Sequence, residues 1–142
     1  MVIRLMFPAV LALQFAALSG CQEDVASGLT VHGKVTCNGK PLSGAIVTLD
    51  PMSGTSGPIA NTAVFDGEFN IGADAGLHGG KYVARFSMLP PEMRKILPPE
   101  QAAKLPPDNA MIGPEFDANS RLFCELTPNT KNELKFEIEF HR

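Results

Sequence analysis

The chain has 142 residues, with 12 lysines and arginines against 15 aspartates and glutamates, so its formal net charge is −3 at pH 7. It has no basic stripe that could follow a phosphate backbone, and we therefore expect no nucleic-acid partner. The absence of tryptophan and the presence of a single tyrosine, Tyr82, argue against a sugar-binding site built on stacked aromatic rings.

The first twenty residues differ in kind from the rest of the chain. Arg4 is the only charged residue among them, and residues 5–18 are apolar apart from one glutamine. A charged start followed by a short apolar stretch is typical of a secretory signal peptide, and this stretch is too short for a permanent membrane span. Small residues then lead to Cys21, as they do at the cleavage site of a signal peptide.

The four residues Leu18-Ser19-Gly20-Cys21 resemble the lipobox of bacterial lipoproteins. The resemblance implies that the Cys21 thiol is diacylglycerylated, that the chain is cut directly before it, and that the new amine is acylated. The alternative is an ordinary signal peptide with a cysteine nearby. Two or more acyl chains hold a protein firmly, since each buried methylene adds about 0.8 kcal/mol. We therefore expect a stable membrane anchor with no transmembrane helix.

Removal of the signal peptide, residues 1–20, leaves 122 residues and a net charge of −4, because Arg4 is lost. This length is enough for one domain with a hydrophobic core. Residues 21–28 are interpreted as a polar tether and residues 29–142 as the domain. The expected location is the cell envelope, outside the cytoplasm, on the periplasmic or outer-membrane face. If Cys21 carries lipid, Cys37 and Cys124 remain, an even number in an oxidising compartment.

After the tether, the pattern indicates β-strands almost throughout. Seven short stretches alternate apolar and polar side chains and are separated by turn residues. They are Leu29–Cys37, Ala45–Asp50, Ile59–Phe65, Glu68–Ile71, Lys81–Met88, Arg121–Thr127 and Glu133–His141. The strongest turn signals are Asn38-Gly39 and Asp66-Gly67, whose residue types tolerate positive φ. Seven strands with such turns predict an all-β antiparallel sandwich.

A proline-rich segment interrupts the strands. Leu-Pro-Pro followed by an acidic residue recurs at residues 89–92, 97–100 and 105–108. Proline suits the first turn of a helix, and an acidic residue there meets the positive end of the helix dipole. The pattern predicts two helical turns, Pro91 to Leu97 and Pro99 to Leu105, within a long crossover; a polyproline-like linker without a specific role is the alternative. Long connections are often functional, and we hypothesise a partner surface on its prolines, Pro90, Pro91, Pro98, Pro99, Pro106 and Pro107.

Residues 31–47, Val-His-Gly-Lys-Val-Thr-Cys-Asn-Gly-Lys-Pro-Leu-Ser-Gly-Ala-Ile-Val, resemble the opening of the carboxypeptidase-regulatory-like and transthyretin-like β-sandwich domains. Residues 65–69, 79–83 and 132–136 resemble later segments of these domains, so that the resemblance covers most of residues 29–141. It implies a seven-stranded antiparallel Greek-key sandwich of the transthyretin-like, or prealbumin-like, type. It implies no activity, because one fold hosts many functions.

On that fold, Cys37 and Cys124 both have core-facing positions. The resemblance also implies that the first and the penultimate strand share a sheet, and a Cys37–Cys124 disulfide is therefore a hypothesis. Closure of so long a loop could contribute roughly 4–5 kcal/mol in the chain-entropy model. The alternative is two buried thiols that act as small hydrophobes.

The sequence contains no evident catalytic set. His32, His78 and His141 are scattered over a strand, a glycine-rich loop and the chain end, although His32 and His141 could approach each other as an adventitious metal site. No histidine and cysteine have ligand spacing, and no nucleophile elbow or phosphate-binding loop occurs. Hydroxyisourate hydrolases of the transthyretin-like type end in Tyr-Arg-Gly-Ser, which this chain lacks. Intradiol dioxygenases bind iron through two tyrosines, and Tyr82 stands alone.

These observations predict a lipid-anchored envelope protein with a non-catalytic binding or structural β-sandwich and with no cofactor. Its expected partners are the membrane, through the anchor, and an envelope protein or polysaccharide. The alternative is a small metal-binding or enzymatic periplasmic domain that uses its histidine-bearing loops.

Overall fold

The computed structural model of the protein describes residues 28–141. The predicted signal peptide, Cys21 and the tether before Gly28 lie outside the described residues. The described chain forms eight β-strands and two short α-helices. Their bounds are β1 Val31–Cys37, β2 Lys40–Pro41, β3 Ala45–Pro51, β4 Ala60–Val64, β5 Glu68–Ile71, β6 Gly80–Met88, α1 Pro91–Lys95, α2 Pro99–Ala102, β7 Leu122–Leu126 and β8 Asn132–Ile138.

The seven stretches that the alternation predicted all form strands, with ends within three residues of the predicted ones. The largest difference is at the last strand, which ends at Ile138 and not at His141. The eighth strand, β2, has two residues and pairs with the end of β1 across the Asn38-Gly39 turn, where both residues have positive φ. The predicted count of seven is therefore one short, because a two-residue strand has no alternation to detect.

The strands form two sheets of four strands each. In the first sheet, β8 pairs with β1 over its whole length, while β5 and β2 pair with different parts of β1. The second sheet has the order β4-β3-β6-β7. The β1–β8 pair is parallel, and the prediction of an antiparallel sandwich is wrong for this pair. A parallel pair needs a long connection, and the chain reaches β8 from β7, in the opposite sheet.

The hydrophobic core lies between the two sheets and follows the predicted alternation. Along β1 every second residue is buried, from Val31 to Cys37. Three phenylalanine rings join the sheets: Phe136 of β8 lies 6.5 Å from Phe69 of β5 and 5.5 Å from Phe86 of β6, measured between ring centroids. Such aromatic contacts add about 0.5–1.5 kcal/mol each beyond the area that they bury.

The sandwich has two different ends. At the entry end, where the described chain begins, the Leu29 amide donates to the Leu77 carbonyl at 2.9 Å. The opposite end, here called the crossover end, carries the turn at residues 38–44, the turn at 65–67 and the segment that follows β6. Since β1 runs from one end to the other with seven residues, the two ends lie about 20 Å apart.

Candidate interaction surface at the crossover end

The proline-rich segment begins two helices where the sequence predicted them. Pro91 and Pro99 occupy the first helical positions of α1 and α2, and each follows a proline with extended backbone. Both helices end earlier than predicted, at Lys95 and Ala102. For α1 the reason is local: Leu97 precedes a proline, and the proline ring disfavours helical backbone at the residue before it.

The segment from residue 89 to 108, here called the crossover lobe, is fixed to the sandwich at both of its ends. At its start, the Leu89 amide donates to the Gly44 carbonyl at 3.0 Å, and Leu89 is buried. Near its end, Leu105 packs directly over Gly44, whose φ of +79° also favours glycine. The neighbouring Lys104 ammonium lies 2.9 and 3.0 Å from the two carboxylate oxygens of Asp66.

Arg94 closes the crossover lobe on itself. Its Nη2 donates to the Pro106 carbonyl at 2.9 Å and lies 3.4 Å from a carboxylate oxygen of Asp108. Because the Arg94 side chain is only 15% exposed while that of Asp108 is fully exposed, the hydrogen bond to Pro106 is the shielded one of these two contacts. They connect the first proline repeat to the third, and they favour a folded lobe over the polyproline-like linker.

The structure brings the six predicted partner-surface prolines together in this lobe. All of them are exposed except Pro106, which is half-buried. The lobe also exposes two apolar side chains that the sequence reasoning missed, Ile96 at 81% and Met93 at 44%. They are three residues apart in and directly after α1, which places them on one side of the helix. The sequence could have revealed them through this three-residue spacing. A helix of only five residues, such as α1, buries none of its side chains.

A hollow of about 490 Å³ separates the crossover lobe from the β1–β2 turn. Pro106 and Pro107 line it on the lobe side, and Leu42 and Phe140 line it on the sandwich side. Among the described residues that line it are two cationic side chains, Lys40 and Lys104, and no carboxylate. Because Asp66 already neutralises Lys104, the hollow is mainly an apolar recess with Lys40 among its lining residues.

Both cysteines of the described chain are free thiols, so the disulfide of the hypothesis is not present in the structure. Cys37 lies opposite Ile138 in the first sheet, whereas Cys124 lies opposite Tyr82 in the second. The expectation that the first and the penultimate strand share a sheet is wrong, because β7 pairs with β6 and β8 pairs with β1. The alternative, two thiols that pack as small hydrophobes, agrees with the buried Cys37 and the half-buried Cys124.

Histidines 32 and 141 do not meet. His32 lies near the start of β1, with its Nδ1 2.7 Å from the Asn70 side-chain oxygen and its Nε2 3.9 Å from the Glu68 carboxylate. His141 follows β8, and its amide donates to the Met111 carbonyl at 2.7 Å. Because β1 and β8 are parallel, His32 is at the entry end and His141 at the crossover end, so the predicted approach is wrong.

His78 has a structural environment at the entry end. Its amide and carbonyl both hydrogen-bond the hydroxyl of Tyr82, at 3.2 and 2.9 Å. Its ring Nδ1 lies 3.2 Å from the Ser56 hydroxyl. The backbone contacts satisfy the polar atom of Tyr82, whose ring is buried in the core.

No protein-family model and no curated protein matches the chain. Within residues 28–141, no helix combines the length and the apolar character needed to cross a membrane. In the same range, no three histidine, cysteine or acidic side chains are arranged to hold a metal ion. The function is therefore inferred from the contacts and exposed side chains of the crossover lobe.

We expect both thiols to be protonated and slow to react in the folded protein at neutral pH. Burial raises the pKa of the Cys124 thiol to about 11 and also raises the pKa of Cys37, and the thiolate is the reactive form. Because these pKa values lie above those of the unfolded chain, the protonated thiols add stability below pH 9 that declines as the pH rises further. Iodoacetamide should modify both cysteines once the unreduced protein is unfolded, as read by peptide mass. Recovery of a peptide pair linked through these cysteines would contradict the assignment.

We expect Arg94→Ala to loosen the crossover lobe. Loss of the hydrogen bond to Pro106 should cost about 1–3 kcal/mol, since its charged donor is shielded from solvent. The lobe should then be cleaved faster in limited proteolysis, as followed by mass spectrometry. The matched control is Lys95→Ala, which removes an exposed charge one residue away. Equal cleavage rates in the two variants would mean that Arg94 does not hold the lobe.

Proposed function

We propose that the protein is a lipid-anchored component of the cell envelope with a non-catalytic β-sandwich that presents the crossover lobe to an envelope protein or polysaccharide. The single observation that carries this proposal is the placement of the two ends. The described chain begins at the entry end, and the exposed prolines, Met93 and Ile96 lie on the lobe at the other end. An anchor attached before residue 28 leaves the lobe on the side away from the attachment.

We also propose that the sandwich is of the transthyretin-like Greek-key type. Its two four-stranded sheets support this, since seven of the strands have four or more residues and β2 has only two. The order of the strands supports it as well. The chain changes sheets between β2 and β3, between β4 and β5, between β5 and β6, and between β7 and β8, which is more crossing than a simple series of hairpins requires.

The lipid anchor is supported by the residues around Cys21 and by the short distance to the domain. Only six residues separate Cys21 from Gly28. Seven residue steps span at most about 25 Å. The entry end therefore stays close to any membrane that holds Cys21, and the lobe extends about 20 Å farther along the strands.

We expect Cys21→Ala to abolish lipidation. Cells that express the full chain should incorporate labelled palmitate into the wild-type protein and none into the variant, and the variant should leave the membrane fraction. Cys124→Ala is the matched control, because it removes a different cysteine and should leave labelling unchanged. Palmitate incorporation that persists in Cys21→Ala would show that the anchor is not at this residue.

We expect the crossover lobe to contact a partner in cells. A photoreactive phenylalanine analogue in place of Ile96 should give a crosslinked product of one defined mass. The same analogue in place of Lys34, an exposed residue on the outer face of the first sheet, should not give it. Met93→Asp should remove the product, since a charge beside Ile96 breaks an apolar contact. A product that forms equally from both positions, or that survives Met93→Asp, would contradict the assignment of the lobe as a partner surface.

A further inference from the structure

The outer face of the second sheet carries an apolar band near the entry end, made by Met52, Ile59, Val83 and Phe123. Ile59 is 58% exposed and Phe123 is 59% exposed. Phe123 adjoins Val83 and shares a hollow with Met52, while Ile59 lies across Asp50 from them. Single exposed apolar side chains are ordinary, whereas several on one face mark an interaction site. This band is distinct from the crossover lobe, which lies at the opposite end.

Strand register places the members of the band in neighbouring positions. Phe123 lies opposite Val83, which lies opposite Asp50. Ala60 lies opposite Leu49 in an antiparallel pair. Ile59, one residue before Ala60, therefore falls opposite Asp50, one residue after Leu49. Ile59 and Phe123 therefore end the same row across four strands, about 14 Å apart at the usual strand spacing. Met52 and Phe123 line one hollow of about 350 Å³ on this face.

The chain enters the domain beside this band. Gly28 packs closely against Gly76, because a side-chain Cβ at residue 28 would lie only 2.7 Å from the Gly76 Cα. Gly76 in turn lies near Pro58, whose ring would be 3.9 Å from a Cβ at residue 76. Pro58 is the residue before Ile59. Gly76 thus lies between the first described residue and the edge of the band.

The reach of the preceding chain limits how far the band can lie from an anchor at Cys21. The seven residue steps from Cys21 to Gly28 span at most about 25 Å in any conformation. The band begins beside Gly28 and extends about 14 Å across the sheet. A bilayer that holds Cys21 is therefore within reach of the whole band, whereas the crossover lobe lies about 20 Å away at the other end of the strands.

We propose that the apolar band rests on the lipid bilayer that holds Cys21 and forms a second, noncovalent membrane contact. This inference rests on the proposed lipid anchor. The contact is shallow, because Asp50 lies in the same row and is paired with Arg85 at 3.7 Å. A carboxylate with a paired guanidinium fits the headgroup region and not the hydrocarbon interior. Lys81 and Glu125, opposite each other at the rim, also fit the headgroup region.

The absence of tryptophan from the chain permits a direct test with single-tryptophan variants of the full, lipidated protein. Ile59→Trp and Phe123→Trp place the probe in the band, and Ile96→Trp is the matched control on another exposed isoleucine. Each is reconstituted in phosphatidylethanolamine–phosphatidylglycerol vesicles with or without dibrominated phosphatidylcholine. We expect brominated lipid to reduce tryptophan emission at least about twofold for both band variants, since the apolar side chains of an interfacial contact reach the boundary between headgroups and acyl chains. Emission of Ile96→Trp should be unchanged.

Flotation of the same vesicles separates the two proposals. If the protein floats and the band variants are quenched while the control is not, the band lies on lipid. If the protein floats and Ile59→Trp is quenched no more than Ile96→Trp, the second contact is disproved while the anchor stands. If the wild-type protein does not float, the anchor itself fails, and the inference falls with it.

Discussion

Both backbone edges of β1 are occupied: β8 pairs with one of them from Val31 to Cys37, and β5 and β2 share the other. This pairing fixes the direction of β8, because a parallel partner must run the same way along the sheet. The last strand therefore starts at the entry end and finishes at the crossover end. The loop between β7 and β8 therefore lies at the entry end, and the residues after Ile138 lie at the crossover end.

The crossover lobe depends on a smaller set of contacts, and they are unequal in strength. The Lys104–Asp66 pair is exposed to solvent on both sides, and exposed ion pairs contribute only about 0–1 kcal/mol. The hydrogen bond from Arg94 to Pro106 is shielded, so the charged donor would pay a larger desolvation penalty without it. Leu105 over Gly44 adds packing that a side chain at residue 44 would disrupt. Arg94 and Gly44 are therefore the residues on which the shape of the lobe depends most.

Sequence patterns predicted the strands and the helix starts because both are local. Alternation reports which face of a strand is buried, and proline at a first helical position reports where a turn can begin. Neither pattern reports which strand lies next to which. The misplaced pairing of Cys37 with Cys124 and of His32 with His141 both came from assigning neighbours that no local pattern encodes. The Arg94 contact was equally hidden, since its partner is twelve residues away in another repeat.

The surfaces of the domain differ in chemistry, and each suits a different kind of contact. The outer face of the first sheet carries charged side chains at Lys34, Glu133 and Lys135, all exposed, and such a face remains hydrated. The band and the lobe carry four of the five large apolar side chains that are exposed within residues 28–141, and they lie at opposite ends. A domain held only by its chain would rotate freely, and binding a partner would then cost the free energy of losing this rotational freedom. A bilayer contact through the band would remove part of this freedom in advance, and would hold the lobe in a constant orientation relative to the membrane.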